Sequence, residues 1–116
     1  MTDAPPISSL PAPVRASIEA TNAGDLAAFL ATFTPDGAVD DWGRTFTGRE
    51  PIAAWSDAEY IGKNMTLEVL SAEFPDVRTV VVKASVGGDG FNGPSTFTYR
   101  IDGDEGAAVT LMQIRE

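Results

Sequence analysis

The feature that most restricts the fold is a segment, Thr21–Trp42, in which helical and extended patterns follow each other with tight breaks between them. Gly24 can take the left-handed conformation that ends a helix, and Asp25 can cap the next helix with its side chain. Apolar residues then recur at positions 26, 29, 30 and 33, which is one face of a helix and predicts a second helix over about 25–33. The segment therefore predicts two consecutive helices joined by a tight turn.

The same segment continues into a predicted turn and a short strand that carries two carboxylates. Residues 34–37 (Thr-Pro-Asp-Gly) are expected to end the second helix and turn the chain, and Ala38–Trp42 to form the strand. Because side chains alternate along a strand, Asp41 would face the core together with Val39, while Asp40 would face solvent. The alternative interpretation is that both aspartates lie at a solvated strand end.

The rest of the chain predicts a third helix and a series of strands. Three helices followed by an antiparallel meander indicate an α+β fold, with the helices gathered on one face of a curved sheet. Residues 1–11 are predicted to be a mobile tail and residues 12–116 a single domain. The predicted helices span 12–22 and about 48–62, the predicted strands span 65–74, 77–86, 95–102 and 107–115, residues 43–47 form a loop or a short strand, and residues 103–106 form a turn.

Composition excludes several classes of function. The net charge of −9 argues against nucleic acid and anionic membrane surfaces as partners, because such binders normally present a basic patch. No signal-peptide pattern and no membrane-length apolar run is found, so a cytoplasmic location is expected. The chain has no cysteine and no histidine, which removes thiol catalysis, the commonest general base and the commonest transition-metal ligand. We therefore expect no metal site and no cofactor, and any catalysis must use carboxylates, Tyr, Lys, Ser or Thr.

Three short motifs resemble the nuclear transport factor two-like superfamily, and within it the SnoaL-like, ketosteroid-isomerase-like branch. They are Asn22–Leu26, Phe33–Val39 and Phe46–Ile52, and the similarity extends over about residues 12–115. The resemblance implies a cone-shaped curved sheet that wraps the helices and leaves an apolar pocket open at its wide end. Many members are homodimers, and their pockets serve isomerases, cyclases, epoxide hydrolases, dehydratases or plain binding proteins, so the fold does not decide the activity.

The catalytic residues of three branches of this superfamily are incomplete in the chain. Asp41 matches the base of the ketosteroid isomerases, but their oxyanion-hole tyrosine and aspartate fall on Ser17 and Phe97, which argues against that reaction. The epoxide-hydrolase arrangement would need an aspartate where Gln113 stands. Polyketide cyclases carry an acid–base aspartate late in the chain, where this sequence has only the terminal carboxylate Glu116.

We predict a pocket for a small, largely apolar molecule, in either an enzyme or a non-catalytic binding or accessory domain. In an isomerase, cyclase or hydrolase, Asp41 would act as general base or acid. Tyr60, Tyr99 or Gln113 would then hydrogen-bond to the substrate. The aromatic residues, Trp42 among them, would alternatively supply core packing. The residues predicted to line the pocket are Phe29, Phe33, Trp55, Tyr60, Phe91, Phe97, Tyr99, Leu111 and Gln113.

Alternation in the later strands also predicts a homodimer. The predicted strand 77–86 has valines on both faces, with Val81 on one face and Val82 on the other. Helices on one side of a single sheet cover only one face, so the other would be left as an apolar patch. A second copy related by a two-fold axis is the simplest cover, with Thr98 and Arg100 in or beside the contact.

Overall fold

A computed structural model describes residues 10–89, 92–102 and 108–115, which form three α-helices and a six-stranded sheet. The predicted α+β architecture is confirmed, with the helices packed on a curved, unclosed sheet. The helices are α1 (Ala12–Ala23), α2 (Leu26–Ala31) and α3 (Arg49–Glu59), and a short 3-10 helix follows at Ile61–Lys63. The strands are β1 (Phe33–Asp41), β2 (Arg44–Thr47), β3 (Thr66–Asp76), β4 (Thr79–Gly87), β5 (Gly93–Asp102) and β6 (Ala108–Arg115).

The break between α1 and α2 is formed by the two residues predicted for it. Gly24 has φ 70°, and its backbone N–H bonds to carbonyls of the last turn of α1. The side chain of Asp25 accepts a hydrogen bond of 3.0 Å from the backbone N–H of Ala28, which caps α2. The second helix ends two residues earlier than its apolar spacing predicts, at Ala31, because Phe33 already belongs to β1.

The predicted turn at residues 34–37 is wrong, because these residues continue β1 as an irregular stretch. Phe33 pairs with Val109 and Ala38 with Leu111, so β1 advances five residues while β6 advances two. The extra residues bulge out of the ladder, as expected where Pro35 has no N–H to donate. Because these residues form a bulge and not a turn, β1 continues in the same direction beside β6. Its two aspartates, Asp40 and Asp41, therefore pair with Gln113 and Ile114 near the end of β6.

The sheet has the order β2-β1-β6-β5-β4-β3. The strands β3 to β6 form the predicted antiparallel meander, and β2 pairs antiparallel with β1. The strands β1 and β6 run parallel, so the expectation of a purely antiparallel sheet is wrong at this junction. The predicted turn at residues 103–106 lies outside the described residues.

The core fills the concave face of the sheet beneath the helices. Leu10, which was predicted to belong to a mobile tail, is only 3% exposed and packs in this core; residues 1–9 of that predicted tail lie outside the described part of the chain. None of the described helices is both long and apolar enough to cross a membrane. The residues that fill the core include Val14 and Ile18 of α1, Phe29 of α2, Ile52 and Trp55 of α3, and Val80, Val82, Phe97, Tyr99 and Met112 of the sheet.

Candidate functional site

A pocket of about 320 Å³ lies between the end of α3, the 3-10 helix and the inner face of the sheet. This volume is at the lower end of the range of about 300–1,000 Å³ that is typical of small-molecule sites. The lining residues that are exposed, Trp42, Glu59 and Lys63, mark its mouth, and the buried ones mark its inner end. The full lining consists of Asp41, Trp42, Trp55, Glu59, Tyr60, Lys63, Met65, Val86, Ser95, Phe97 and Ile114.

One wall of the pocket belongs to a stack of three aromatic rings. The Trp55 ring stacks on Tyr60 with centroids 4.8 Å apart and on Phe46 with centroids 6.0 Å apart. The Arg44 guanidinium lies 5.6 Å from the centroid of Phe46 and closes the exposed end of the stack. Because each ring is held by the next, this wall of the pocket is firm and apolar.

The carboxylate of Asp41 lines the pocket and is held at one oxygen only. Its Oδ2 accepts a hydrogen bond of 3.0 Å from Nε1 of Trp55 and one of 2.6 Å from the guanidinium of Arg44. The other oxygen, Oδ1, accepts no hydrogen bond from any described residue. With its side chain 15% exposed, Asp41 therefore presents a fixed acceptor with free capacity at the pocket wall.

The mouth of the pocket contains a three-residue ion-pair network. The guanidinium of Arg44 bridges Asp41 and Glu59, and its distances to the two oxygens of Glu59 are 2.7 and 3.1 Å. The hydrogen bonds from Arg44 lower the pKa of Glu59, and the two carboxylates raise the pKa of Arg44. Arg44 and Glu59 are thus both charged at neutral pH. Within the described residues, no group of acidic side chains is arranged to hold a metal ion.

Asp40 has a different environment from its neighbour. Its two oxygens lie 3.1 and 3.0 Å from the two terminal nitrogens of Arg115, and the backbone N–H of Gly43 and the amide of Gln113 complete its contacts. The hydrogen bond from Arg115 lowers the pKa of Asp40 most, although partial desolvation opposes it. Asp40 joins β1 to β6 and does not line the pocket, whereas Asp41 does.

The turn between β1 and β2 places a tryptophan at the pocket mouth. Asp41 pairs with Arg44, so the turn has two central residues, Trp42 with φ 54° and Gly43 with φ 93°. Positive φ at both positions is typical of a type I′ hairpin turn. Trp42 is 56% exposed, which contradicts its interpretation as a core aromatic. The sequence signal that could have revealed the exposed tryptophan is the pair Trp42-Gly43 between two strand patterns. Asn or Asp usually precedes the glycine of such a turn.

Two buried tyrosines behind the pocket remain neutral. Burial raises the pKa of both Tyr60 and Tyr99. The hydroxyl groups of Tyr60 and Thr21 are hydrogen-bonded to each other at 3.3 Å. The Tyr99 hydroxyl and Oγ of Ser17 are buried and have no hydrogen-bond partner in the part of the chain that the structure describes. Tyr99 is part of the core and does not line the pocket, unlike Tyr60.

Of the predicted lining, Trp55, Tyr60 and Phe97 surround the pocket together with Asp41. Two more, Phe29 of α2 and Phe33 of β1, pack edge to face in the core, with centroids 5.3 Å apart, and do not line the pocket.

The last strand turns two further predicted residues away from the pocket. Met112 and Ile114 point inward and are buried, so alternation places Leu111 and Gln113 on the outer face. The predicted rim residue Phe91 lies outside the described residues. Residues that sequence reasoning missed are Trp42, Glu59, Lys63, Met65, Val86, Ser95 and Ile114, most of which carry no chemical signature of their own.

Comparison with known proteins agrees with this geometry. A family model described as the SnoaL-like domain matches residues 14–114. The chain belongs to the SnoaL-like domain family. Among proteins with curated descriptions, none matches this SnoaL-like chain at a significant level.

Several solved structures share the SnoaL-like fold. A candidate polyketide cyclase from Sinorhizobium meliloti is 26% identical, with a TM-score of 0.83 and coverage of 95% of this chain and 99% of that chain. A Catenulispora acidiphila protein with a ketosteroid isomerase-like fold, solved in complex with trimethylamine, is 27% identical, with a TM-score of 0.74 and coverage of 91% and 85%. A Mycobacterium tuberculosis protein in complex with estradiol-17beta-hemisuccinate is 19% identical, with a TM-score of 0.72 and coverage of 88% of both chains, and this likeness concerns the fold alone.

Proposed function

We propose that this SnoaL-like domain binds a small, largely apolar molecule that carries a hydrogen-bond donor. The observation that carries the proposal is Oδ1 of Asp41, which accepts no hydrogen bond from the described residues, beside the aromatic stack of Trp55 and Tyr60. A donor on the ligand, such as a hydroxyl or an amine N–H, would bind Oδ1, and the apolar body would fill the inner end of the pocket. A few placed polar groups in an apolar concavity are the usual composition of a small-molecule site.

Two solved relatives support the choice of a small molecule. The Mycobacterium tuberculosis protein was solved with a steroid ester and the Catenulispora acidiphila protein with a small amine. A steroid is a large apolar body with polar ends, and an amine is a compact group that a carboxylate can bind. The pocket of this chain combines both properties, because its inner end is apolar and its wall carries Asp41.

Binding of a neutral dye tests the proposal. N-Phenylnaphthylamine is an apolar aromatic amine with one N–H donor, and its fluorescence rises when it leaves water. We expect saturable binding to the wild-type chain. Ser95→Phe should weaken binding at least about tenfold, since the buried Ser95 lines the pocket and the added ring would fill it. The matched control is Ser85→Phe on the same sheet, because Ser85 is exposed and pairs opposite Pro94 away from the pocket.

The outcomes separate clearly. Equal binding by wild type, Ser95→Phe and Ser85→Phe, with both variants folded by circular dichroism, would overturn this pocket as the site. An absence of binding to the wild-type chain would overturn the apolar-ligand proposal. If Ser95→Phe does not fold, Ser95→Leu adds less volume and provides the same comparison.

A second candidate function is catalysis by Asp41 as a general base. The observation that favours it is the fixed orientation of the carboxylate, since Trp55 and Arg44 both hold Oδ2 and leave Oδ1 to accept a proton. The proton would move from a C–H or O–H group of the substrate to Oδ1. Negative charge left on a substrate oxygen could be stabilised by Lys63 or Ser95, two further donors in the lining. An isomerase, cyclase or hydrolase reaction would fit this arrangement.

We also propose that two copies associate through the outer face of the sheet. Val81 and Leu111 lie on this face and are only partly buried in the single chain. The sheet register places Val81 opposite Thr98, and Leu111 opposite Arg100, so apolar and polar side chains alternate across the face. This mixed surface suits an interface with an apolar centre and a polar rim.

A further inference from the structure

We propose that Trp42 is a ligand-contact residue, and that the β1–β2 turn holds it in a strained backbone conformation in order to place its indole at the pocket mouth. The ligand class that follows is a flat ring system with an N–H or O–H donor. This inference rests on the proposed function and adds to it a residue and a ligand shape that the family resemblance does not supply.

The first observation is the backbone of the turn. A bulky residue with positive φ is a conformational outlier, because its Cβ approaches the backbone, whereas Asn, Asp and Gly tolerate this region. Trp42 nevertheless has φ 54° at the first central position of the turn. The turn is held by a hydrogen bond of 2.8 Å from the Gly43 N–H to Asp40 and by one of 3.3 Å from the Trp42 N–H to the Ile114 carbonyl. Asparagine at position 42 would form the same turn with less strain.

The second observation is that the Trp42 side chain packs too little against the core to offset the strain of its backbone. Its side chain is 56% exposed, so the indole contributes far less to the core than a tryptophan normally does. Strained residues persist where the surrounding structure enforces them, and they concentrate at ligand sites. Among the large apolar side chains that are exposed in the described residues, Trp42 is the one that lines the pocket; the others are Leu70, Phe74 and Val77.

The third observation is the position of Trp42 relative to the rest of the site. It follows Asp41 directly in the chain, and both residues line the pocket together with Trp55. A ligand that donates to Oδ1 of Asp41 and packs against the aromatic wall would therefore extend towards the Trp42 indole. A flat ring system meets both conditions, since one part packs on the wall while its outer part is covered by Trp42. Covering the indole with ligand would also remove its exposed apolar surface from water.

Two substitutions separate ligand contact from a structural role. Trp42→Asn keeps a residue that suits the turn and removes the indole, and Trp42→Phe keeps an aromatic side chain. We expect Trp42→Asn to weaken the binding of N-phenylnaphthylamine at least about tenfold, while Trp42→Phe stays within about threefold of wild type. We expect the melting temperature of Trp42→Asn to equal or exceed that of wild type, because the turn loses strain.

Each result decides between the proposals. If Trp42→Asn binds the dye as wild type does while Ser95→Phe loses it, the proposed function stands and the role of Trp42 is overturned. If Trp42→Asn lowers the melting temperature by more than about 5 °C, the indole stabilises the fold and the inference is overturned as well. If the wild-type chain does not bind the dye, both the inference and the proposed function fail.

Discussion

The indole nitrogen of Trp55 donates a hydrogen bond of 3.0 Å to Oδ2 of Asp41 and so connects α3 to the end of β1. Trp55 is also the middle ring of the aromatic stack between Phe46 and Tyr60. One side chain thus forms the apolar wall and orients the carboxylate beside it. In the proposed function this orientation matters, because Oδ2 is already bonded while Oδ1, which accepts no hydrogen bond from a described residue, is left for the ligand.

Trp55→Phe tests this connection. The variant keeps an aromatic ring in the stack but loses the N–H donor, so we expect dye binding to weaken by about threefold to tenfold. In a double-mutant cycle with Asp41→Asn, the two losses should be less than additive, because both disrupt the same contact. Additive losses, measured by fluorescence titration, would show that Trp55 and Asp41 act independently.

Asp41→Asn tests the acceptor itself. The substitution removes the ion pair with Arg44 and replaces one carboxylate oxygen by a donor, so we expect weaker dye binding by about tenfold. If a substrate is found, turnover should fall about 100-fold, which is the usual scale for a general base. The matched control is Asp40→Asn, which should leave both quantities unchanged. Equal effects of the two substitutions would contradict the assignment of Asp41 as the pocket carboxylate.

The Asp40–Arg115 contact predicts the pH dependence of stability. Because folding lowers the pKa of Asp40 below its ordinary value of 3.8, the unfolded chain binds more protons than the native chain as the pH falls through this range. The stabilisation is present at neutral pH and is lost in acid. We expect Arg115→Gln to reduce the free energy of unfolding by up to about 1 kcal/mol at pH 7, and the difference to disappear below the folded pKa of Asp40. A difference in urea unfolding that persisted in acid would assign the effect of Arg115 to packing instead.

Sedimentation equilibrium at micromolar concentration tests the proposed dimer. We expect the mass of two chains for the wild type and of one chain for Val81→Glu, because a buried charge without a partner at the centre of the interface is strongly unfavourable. The control is Val77→Glu, since Val77 is 91% exposed at the β3–β4 turn and lies away from this centre. A wild-type mass of one chain would contradict the dimer.

Local patterns predicted much of the fold. The break at Gly24 and Asp25 follows from capping chemistry alone, and the inward faces of β4 and β5 follow from alternation, as the burial of Val82 and Phe97 shows. These features depend on neighbours in the chain. The parallel pairing of β1 with β6 joins residues about seventy positions apart, and no local pattern specifies it. The composition of residues 34–37 indicates a turn. The structure has a bulge there because β1 pairs with β6 on both sides of these residues, which the local sequence does not specify.

The site was less predictable than the fold. Alternation predicted only that Asp41 shares a face with Val39, and a solvated strand end stayed as the alternative. The partners of its carboxylate come from β2 and α3 and depend on tertiary packing. Leu111 and Gln113 share one face of the last strand, and the prediction placed that face in the pocket. Alternation separates the two faces of a strand but does not say which one turns inward, and the structure buries Met112 and Ile114 instead. Trp42 was assigned to the core because most tryptophans are buried, and its exposure results from the turn that holds it.

The most direct test of the central claim uses the two tryptophans of the chain as reporters, because both line the pocket. In isotope-labelled protein each indole N–H gives its own nuclear magnetic resonance signal, and Trp42→Phe and Trp55→Phe assign them. On titration with N-phenylnaphthylamine, we predict that both indole signals shift together and saturate at one dye per chain. Indole signals that stay fixed while amide signals of the outer sheet face shift would contradict the pocket as the binding site.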